Sequence, residues 1–315
     1  MSKHVIGIDI GGTNLRGAVV DSKGKILMRH SVSSDAHIGI GNLIDNMINL
    51  INSLRKDYKI TGIGIGMPGI IDAKNGVITQ APNIKNAADY PIRKILKNKI
   101  KPKLPIFIEN DANCAALGEY RYGAGIGLST LIMITLGTGV GGGIILDGKL
   151  WNGAHGMGGE IGHIKIYPGG NKCNCGHRGC LESYASLSGM KLKIKKGIKE
   201  NRINKNLLEK IKSTHEDRLP ELFFKEAKNG NRFSKKLWEE FGTALGLGIS
   251  TLTNLLNPEI VVIGGGIAGA WQTFIPSTKK AVKENTLIGP YNKLKIDRSK
   301  LKDDAGILGA ASLVI

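Results

Sequence analysis

Twice along this chain an apolar strand runs into a cluster of glycines and a second strand leaves it, the two occurrences lying about 125 residues apart. In the first, Val5 to Ile10 reads as a strand, Gly11 to Asn14 as a tight turn and Leu15 to Asp21 as the returning strand. In the second, Thr130 to Leu136 is the strand, Gly137 to Gly143 the glycine turn and Ile144 to Asp147 the return. Glycine turns expose bare backbone N–H groups, which phosphate oxygens can approach with no side chain between. Two such hairpins imply a duplicated α/β architecture of two lobes, one phosphate loop in each, with a nucleotide expected in the interlobe cleft.

The rest of the chain alternates in the same manner. Ile40, Leu43, Ile44, Met47, Ile48, Ile51 and Leu54 recur at helical spacing, and Ile60 to Gly66 reads as the next strand. After Pro68-Gly69 comes a loop-rich stretch to Asn86, then a basic helix, the strand Ile106 to Glu109 and a helix over Ala112 to Tyr122. A lysine-rich helical region, 190–236, precedes a long helix with Trp238, Phe241, Leu245, Ile249, Leu252 and Leu256 on one face. Asn257-Pro258 ends that helix, Ile260 to Ile263 is a buried-type strand, and Gly264 to Gly266 opens another helix. The alanines and glycines from Ala305 to Ala311 predict a closing helix packed tightly against a neighbour. The expected division is a small N-terminal lobe, 1–118, rejoined by a C-terminal helix, 304–315, and a large lobe, 119–303.

Several functions are disfavoured at this level. The hydrophobic content of 41% with 22% charged residues fits a soluble globular chain, and apolar runs such as Leu131 to Leu136 are far too short to span a bilayer. Met1 to Gly12 lacks a signal-peptide layout, so a cytoplasmic, reduced protein is expected. The net charge of +18 invites a nucleic-acid reading. Its excess lies largely in Lys85 to Lys103 and Lys191 to Lys236, lysine-rich and poor in aromatics, which suits a solvated surface better than base readout or stacking. No sequence-specific nucleic-acid partner and no membrane are expected. Gly137-x-Gly139-x-x-Gly142 matches a dinucleotide fingerprint in letters, but a strand follows it where that fold needs a helix. Gly264-x-Gly266-x-x-Gly269 lies between strand and helix but leaves too little chain for such a domain. Gly143 to Lys149 resembles a P-loop until Leu150 stands where a Ser or Thr is needed.

Cys173, Cys175 and Cys180 fall within eight residues, and His163 lies ten positions upstream in Gly159-Glu-Ile-Gly-His163. Four such ligands suit a closed zinc site in the loop 163–180, the alternatives being disulfides or reduced core thiols. Cys114, in an apolar helical stretch, reads as a core residue. Asp9, two residues before Gly11, is placed to hold Mg2+ or to cap its turn. Thr13 and Thr138 offer hydroxyls to phosphates or stabilise turns. In Glu109-Asn-Asp-Ala-Asn113, Asp111 stands at the mouth of a strand–helix junction, where it either caps the helix or accepts a proton from an alcohol attacking a γ-phosphoryl group.

Taken together, Asp9-Ile-Gly-Gly-Thr-Asn14, Glu109-Asn-Asp-Ala-Asn113, Leu136-Gly-Thr-Gly-Val-Gly-Gly-Gly143, Gly159-Glu-Ile-Gly-His163 and Cys173-x-Cys-Gly-x-x-Gly-Cys-x-Glu182 resemble the ROK family (repressors, open reading frames, kinases), nearly end to end. The resemblance implies an actin-like ATPase (ribonuclease H-like) fold and an ATP-dependent sugar kinase most similar to the family's bacterial glucokinases. It implies ATP, Mg2+ and structural Zn2+ as cofactors, and a homodimer or homotetramer. By motif, Asp111 is the implied catalytic base, and Asn83, Asn110, Asp111, Glu160, His163 and Glu182 are the implied sugar ligands. Asp9, Gly11, Gly12, Thr13, Asn14, Thr138 and Gly139 would surround the phosphates and their metal, with Gly265 and Gly266 near the adenosine. His163, Cys173, Cys175 and Cys180 would hold zinc, one imidazole nitrogen on the metal and the other toward sugar.

Glucose is the first expected substrate, with N-acetylglucosamine, N-acetylmannosamine, mannose or fructose as alternatives. The segment Ile84 to Tyr90 lacks the tryptophan common in the glucokinases, and Ala185 to Gly189 is longer by two residues than the usual Ala-Ser-Gly. A sugar-responsive regulator without its DNA-binding domain is the remote alternative, since the phosphate motif starts at Asp9 with no room before it for a helix-turn-helix.

Overall fold

In the computed structural model, which describes residues 3–315, twelve strands and ten α-helices follow one another in the expected alternation. The first sheet draws on β1 (His4–Ile10), β2 (Asn14–Asp21), β3 (Ile26–Ser33), β4 (Ile60–Met67) and β7 (Ile106–Asn110). Between these elements lie α1 (Ile40–Leu54), the two-stranded β5 (Ile70–Asp72) and β6 (Val77–Gln80), and α2 (Ile92–Lys99). Helix α3 (Asp111–Tyr122) leads to β8 (Leu131–Leu136), β9 (Val140–Leu146) and β10 (Lys149–Leu150). Then come α4 (Leu187–Lys199), α5 (Lys205–Ser213), α6 (Leu219–Lys228), α7 (Arg232–Leu256), β11 (Ile260–Gly264), α8 (Trp271–Asn285), α9 (Ile288–Lys293), β12 (Lys295–Arg298) and α10 (Asp304–Ser312).

The duplication is explicit in the topology. One five-stranded sheet has the order β3-β2-β1-β4-β7 and the other β10-β9-β8-β11-β12, the same path drawn twice. In the first, β1 pairs antiparallel with β2 and parallel with β4, and β4 parallel with β7. The edge strand β3 and the β5–β6 hairpin were absent from the sequence reading. Both are short or half-exposed, with no continuous apolar run to mark them.

The chain forms two compact units. Unit 1 takes the chain through Met133 and includes 142–159 and 299–315; unit 2 holds 134–141 and 160–298. The division expected at 118/119 falls inside the unbroken α3, and this is a correction. The helix continues to Tyr122 and unit 1 to Met133, so the first segment of unit 1 ends after Met133. The expected glycine turn 137–143 is also shorter, because β9 begins at Val140. Gly143 is glycine for a packing reason instead: its Cβ would meet Ala116 Cβ at 2.6 Å and Ala112 O at 2.7 Å.

In unit 1 the central strand β1 is buried on both faces, which is why it reads as a continuous apolar run. Ile6, Ile8 and Ile10 face a core shared with Leu43, Ile44, Met47, Leu50, Ile51 and Leu54 of α1. Seven side chains of α1 are buried, on the order of 10–20 kcal/mol of gross apolar burial before conformational entropy is subtracted. Val5 shares the opposite core with Ala18, Val20, Ile307, Leu308 and Ala311. There the small residues let α10 lie directly on backbone: Cβ atoms at Gly7, Gly64 and Gly309 would fall 2.2, 1.8 and 1.6 Å from Ile307 O, Ala310 O and Cys114 O. Cys114 is fully buried at this contact, as a core thiol should be.

In unit 2, α7 packs on α8 through Trp238, Phe241 and Phe274, and Gly242 and Gly246 bring the two helices close. Asn257, left-handed at φ 46°, caps α7 by donating its N–H to Thr253 O. Many lysines of the 191–236 stretch are paired, among them Lys191 with Glu216, Lys193 with Glu240 and Lys210 with Glu226. No helix is long and apolar enough to cross a membrane among the described residues.

Candidate functional site

The first glycine turn is closed by backbone, Gly11 N–H donating to Asn14 O at 2.9 Å, while Ser34 donates its N–H to Thr13 O and its hydroxyl to Gly12 O. Thr13 and Asn14 are exposed at its tip. Asp9 does not cap this turn: its partner is the Arg16 guanidinium, directly opposite in the β1–β2 register. Burial pushes the Asp9 carboxyl above its usual range, against the pull of Arg16. In the second turn Gly137 N–H donates to Gly139 O, and Thr138 O accepts from the Ser188 hydroxyl. A Cβ at Gly12, Gly137 or Gly266 would meet nothing within 4 Å, so neighbouring protein atoms do not require glycine there. Gly265, by contrast, is demanded by structure, with φ +84° and Leu136 O 2.4 Å from its would-be Cβ.

At the end of β7 the helix cap is Asn110, not Asp111. Asn110 Oδ1 accepts from Ala112 N and Asn113 N, and its Nδ2 donates to Gly69 O at 3.0 Å. That bond ties the cap to the turn at Gly69, which lies against Ala81, two residues before the exposed Asn83. Asp111 is therefore the first residue of α3, half-buried, with Oδ1 also accepting Ala112 N–H at 2.9 Å. Glu109 faces inward and is 4% exposed. It accepts from Asn110 N, Asn113 Nδ2 and Asn152 Nδ2.

In unit 2, one donor atom from each of His163, Cys173, Cys175 and Cys180 lies within 4.8 Å of the others. All four cysteines of the chain are free, which removes the disulfide reading, and exposed Cys175 is no core thiol. Cys175 Sγ and Cys180 Sγ are 3.7 Å apart, close to the ~3.8 Å that two thiolates take on one tetrahedral zinc. Burial pushes the Cys173 thiol up to about 12. Burial opposes ionisation of Cys175 too, but hydrogen bonds from the His177 backbone and ring bring it down to about 6. Lys165 Nζ, 2.7 Å from Cys180 Sγ, sets a positive charge beside the thiols.

His163 faces two ways: Nδ1 is 3.8 Å from Cys173 Sγ, and Nε2 is 3.9 Å from Glu160 Oε2. Glu182 Oε2 accepts Val140 N–H at 3.1 Å, just past the Thr138-Gly139 turn, and its Oε1 lies 3.5 Å from Cys173 Sγ. Burial raises the Glu160 carboxyl, with His163 opposing and the charge of Glu182 adding to the rise. Two carboxylates and an imidazole thus converge beside the thiol cluster, a set suited to several adjacent hydroxyls.

Unit 1 therefore carries Asp9, Gly11, Gly12, Thr13 and Asn14 at one turn and Asn110 and Asp111 at the start of α3, with Asn83 on its own loop. Unit 2 carries Thr138, Gly139, Glu160, His163 and Glu182 around the metal loop, with Gly265 against Leu136 and Gly266 next to it. The sequence reading missed Arg16, Asn152 and Lys165. Arg16 was accessible from the hairpin register. Asn152 and Lys165 carry no local signal, since their partners are 43 and 15 residues away.

The family model described as "ROK family" matches residues 5–315. A glucokinase of Thermotoga maritima is 34% identical over 310 residues, covering 98% of this chain and 96% of the relative. A xylose repressor of Caldicellulosiruptor bescii is 34% identical over 324 residues, covering 99% of this chain but 78% of the repressor. A ROK family glucokinase from Streptomyces griseus, solved in complex with glucose and AMPPNP, matches with a TM-score of 0.84 and 31% identity over 98% of both chains.

Proposed function

The chain belongs to the ROK family and has its actin-like ATPase fold, and from this we propose that it is an ATP-dependent hexose kinase acting on glucose. In the reaction a sugar hydroxyl oxygen attacks the γ-phosphorus, the new O–P bond forms as the bond to the β-phosphate oxygen breaks, and ADP leaves. The hydroxyl proton goes to the Asp111 carboxylate.

The observation that carries the reading is the position of Asp111. Helix capping, the competing explanation for an aspartate here, is discharged by Asn110. Asn83, Asn110, Glu160, His163 and Glu182 bind the sugar hydroxyls; Asn110, with Oδ1 engaged by the cap, offers its remaining Nδ2 hydrogen. Backbone N–H groups at Gly12, Thr13, Thr138 and Gly139 bind phosphate oxygens, Gly11 lies beside them with its own N–H closing the turn on Asn14 O, and Gly265 and Gly266 border the adenosine. Asp9 is the carboxylate for the Mg2+ that accompanies ATP and neutralises phosphate charge. The Cys173, Cys175, Cys180 and His163 donors fit zinc; all four would hold it, and it would then serve as a fastener for the segment bearing Glu160 and Glu182.

The test is an ATP-coupled assay across glucose, N-acetylglucosamine, N-acetylmannosamine, mannose and fructose. Glucose should give the highest kcat/KM. Turnover of an N-acetyl sugar in its place would move the substrate, and no turnover of any hexose would defeat the kinase reading.

A further inference from the structure

We propose that Glu109 and Asn152 are positioning residues of this reaction, forming a buried network that registers the start of α3 with the segment 151–159. The proposal rests on the sugar-kinase reading above. Glu109 is 4% exposed, and its three hydrogen-bond partners are neutral N–H groups. Oε1 accepts from Asn110 N at 2.8 Å and from Asn113 Nδ2 at 3.0 Å, and Oε2 accepts from Asn152 Nδ2 at 2.8 Å. Asn113 Nδ2 also reaches Asn152 Oδ1 at 3.3 Å, closing the ring of three side chains. Burying a carboxylate among amides is costly, and an apolar trio would hold the fold at less expense. Hydrogen bonds, unlike apolar contacts, impose direction.

What they direct is the approach to two proposed sugar-site residues. Asn110, whose N–H is held by Glu109, immediately precedes Asp111. On the other side, Asn152 anchors one end of a short loop whose far end returns to it, Gly158 N–H donating to Asn152 O at 2.8 Å. The next residue, Gly159, has φ +90°, and a Cβ there would lie 3.7 Å from Asn113 Oδ1. That oxygen is buried with no hydrogen-bond partner among the described residues. Gly159 is joined to Glu160. The same three side chains therefore set the residue before the base and the residue before a sugar-binding carboxylate, and misplacement of such groups by ~1 Å costs up to about 100-fold in rate.

The network has a polarity that can be reversed. In Glu109→Gln the introduced amide nitrogen faces the Asn152 amide donor, and in Asn152→Asp two carboxylates face each other. In the double variant E109Q/N152D, the amide oxygen introduced at position 109 still accepts from Asn110 and Asn113, while the amide nitrogen beside it donates to the carboxylate introduced at position 152. Each single variant, and Asn152→Ala, should lose about 10- to 100-fold in kcat/KM for glucose, Asn152→Ala chiefly through KM. The double variant should recover to within about 3-fold of the unchanged protein. Melting temperature is read in parallel. Single variants within about 2-fold of the unchanged protein, an unaltered glucose KM in Asn152→Ala, or a double variant that melts normally yet multiplies the two losses would each overturn the proposal. An unchanged protein that phosphorylates no hexose would instead bring down the kinase reading, and this proposal with it.

Discussion

Gly139→Ala tests the coupling between the second glycine turn and Glu182, one of the carboxylates proposed to bind the sugar. The φ of Gly139 is not in the left-handed region, so the backbone tolerates alanine, and the effect comes from the added methyl alone. That Cβ would lie 2.2 Å from Glu182 Oε2. Restoring a contact of about 3.3 Å requires the carboxylate to retreat by roughly 1 Å. Its bond from Val140 N–H, now 3.1 Å, would then exceed hydrogen-bonding range. A hydrogen bond to a charged acceptor is worth about 1.5–3 kcal/mol, so a sugar hydroxyl losing the displaced carboxylate should weaken by roughly 10- to 100-fold. The assay is glucose-dependent ADP formation, with KM for glucose and ATP measured separately. Glucose KM should rise by that factor while zinc content holds, and loss of the Val140 bond should lower the melting temperature by about a few degrees. Gly137→Ala is the matched control, because its Cβ would meet nothing within 4 Å and would act on nucleotide KM only. A glucose KM within twofold of the unchanged protein in Gly139→Ala would refute both the clash and the assignment of Glu182.

Asp111→Asn should abolish nearly all phosphoryl transfer while glucose binding stays measurable by calorimetry; near-normal turnover would remove Asp111 as base. Cys175→Ser should release the metal, read by elemental analysis, and raise glucose KM through His163 and Glu182, whereas a metal-free protein with unchanged affinity would separate the two. In the parent protein, metal loss to a chelator should increase as pH falls from 8 to 5. The donors bind as thiolates and neutral imidazole, and burial holds the metal-free Cys173 thiol protonated, up to about 12, so protons compete throughout this window. A flat pH profile would contradict that competition. Gly309→Ala should destabilise by at least about 1–3 kcal/mol in denaturant melts, since its Cβ would lie 1.6 Å from Cys114 O. Gly289→Ala, with open space around it, should be neutral or stabilising.

The main alternation of strands and helices, the duplicated hairpins, the clustering of the three cysteines with His163 and the position of Asp111 at a strand–helix junction were legible in the chain. Each depends on residues within a few positions of one another: apolar periodicity, glycine at a turn, thiols two to seven residues apart. The small-residue run from Ala305 to Ala311 announced a close helix contact for the same reason, although not which backbone it would touch. What the sequence left open is what long-range packing decides. Whether Asp111 or Asn110 caps α3 depends on Gly69 O accepting from the Asn110 amide, 41 residues away. Whether Asp9 faces solvent or a cation depends on Arg16 across the hairpin and on Gly306 of α10, whose missing side chain leaves room for the carboxylate. Glu109 carries no role that the sequence alone assigns, and only its partners 4 and 43 residues along the chain show what its carboxylate meets. Local pattern specifies which chemistry a chain can carry. The direction of each polar side chain is set by the partner that satisfies it when buried, and that partner is brought by the tertiary fold.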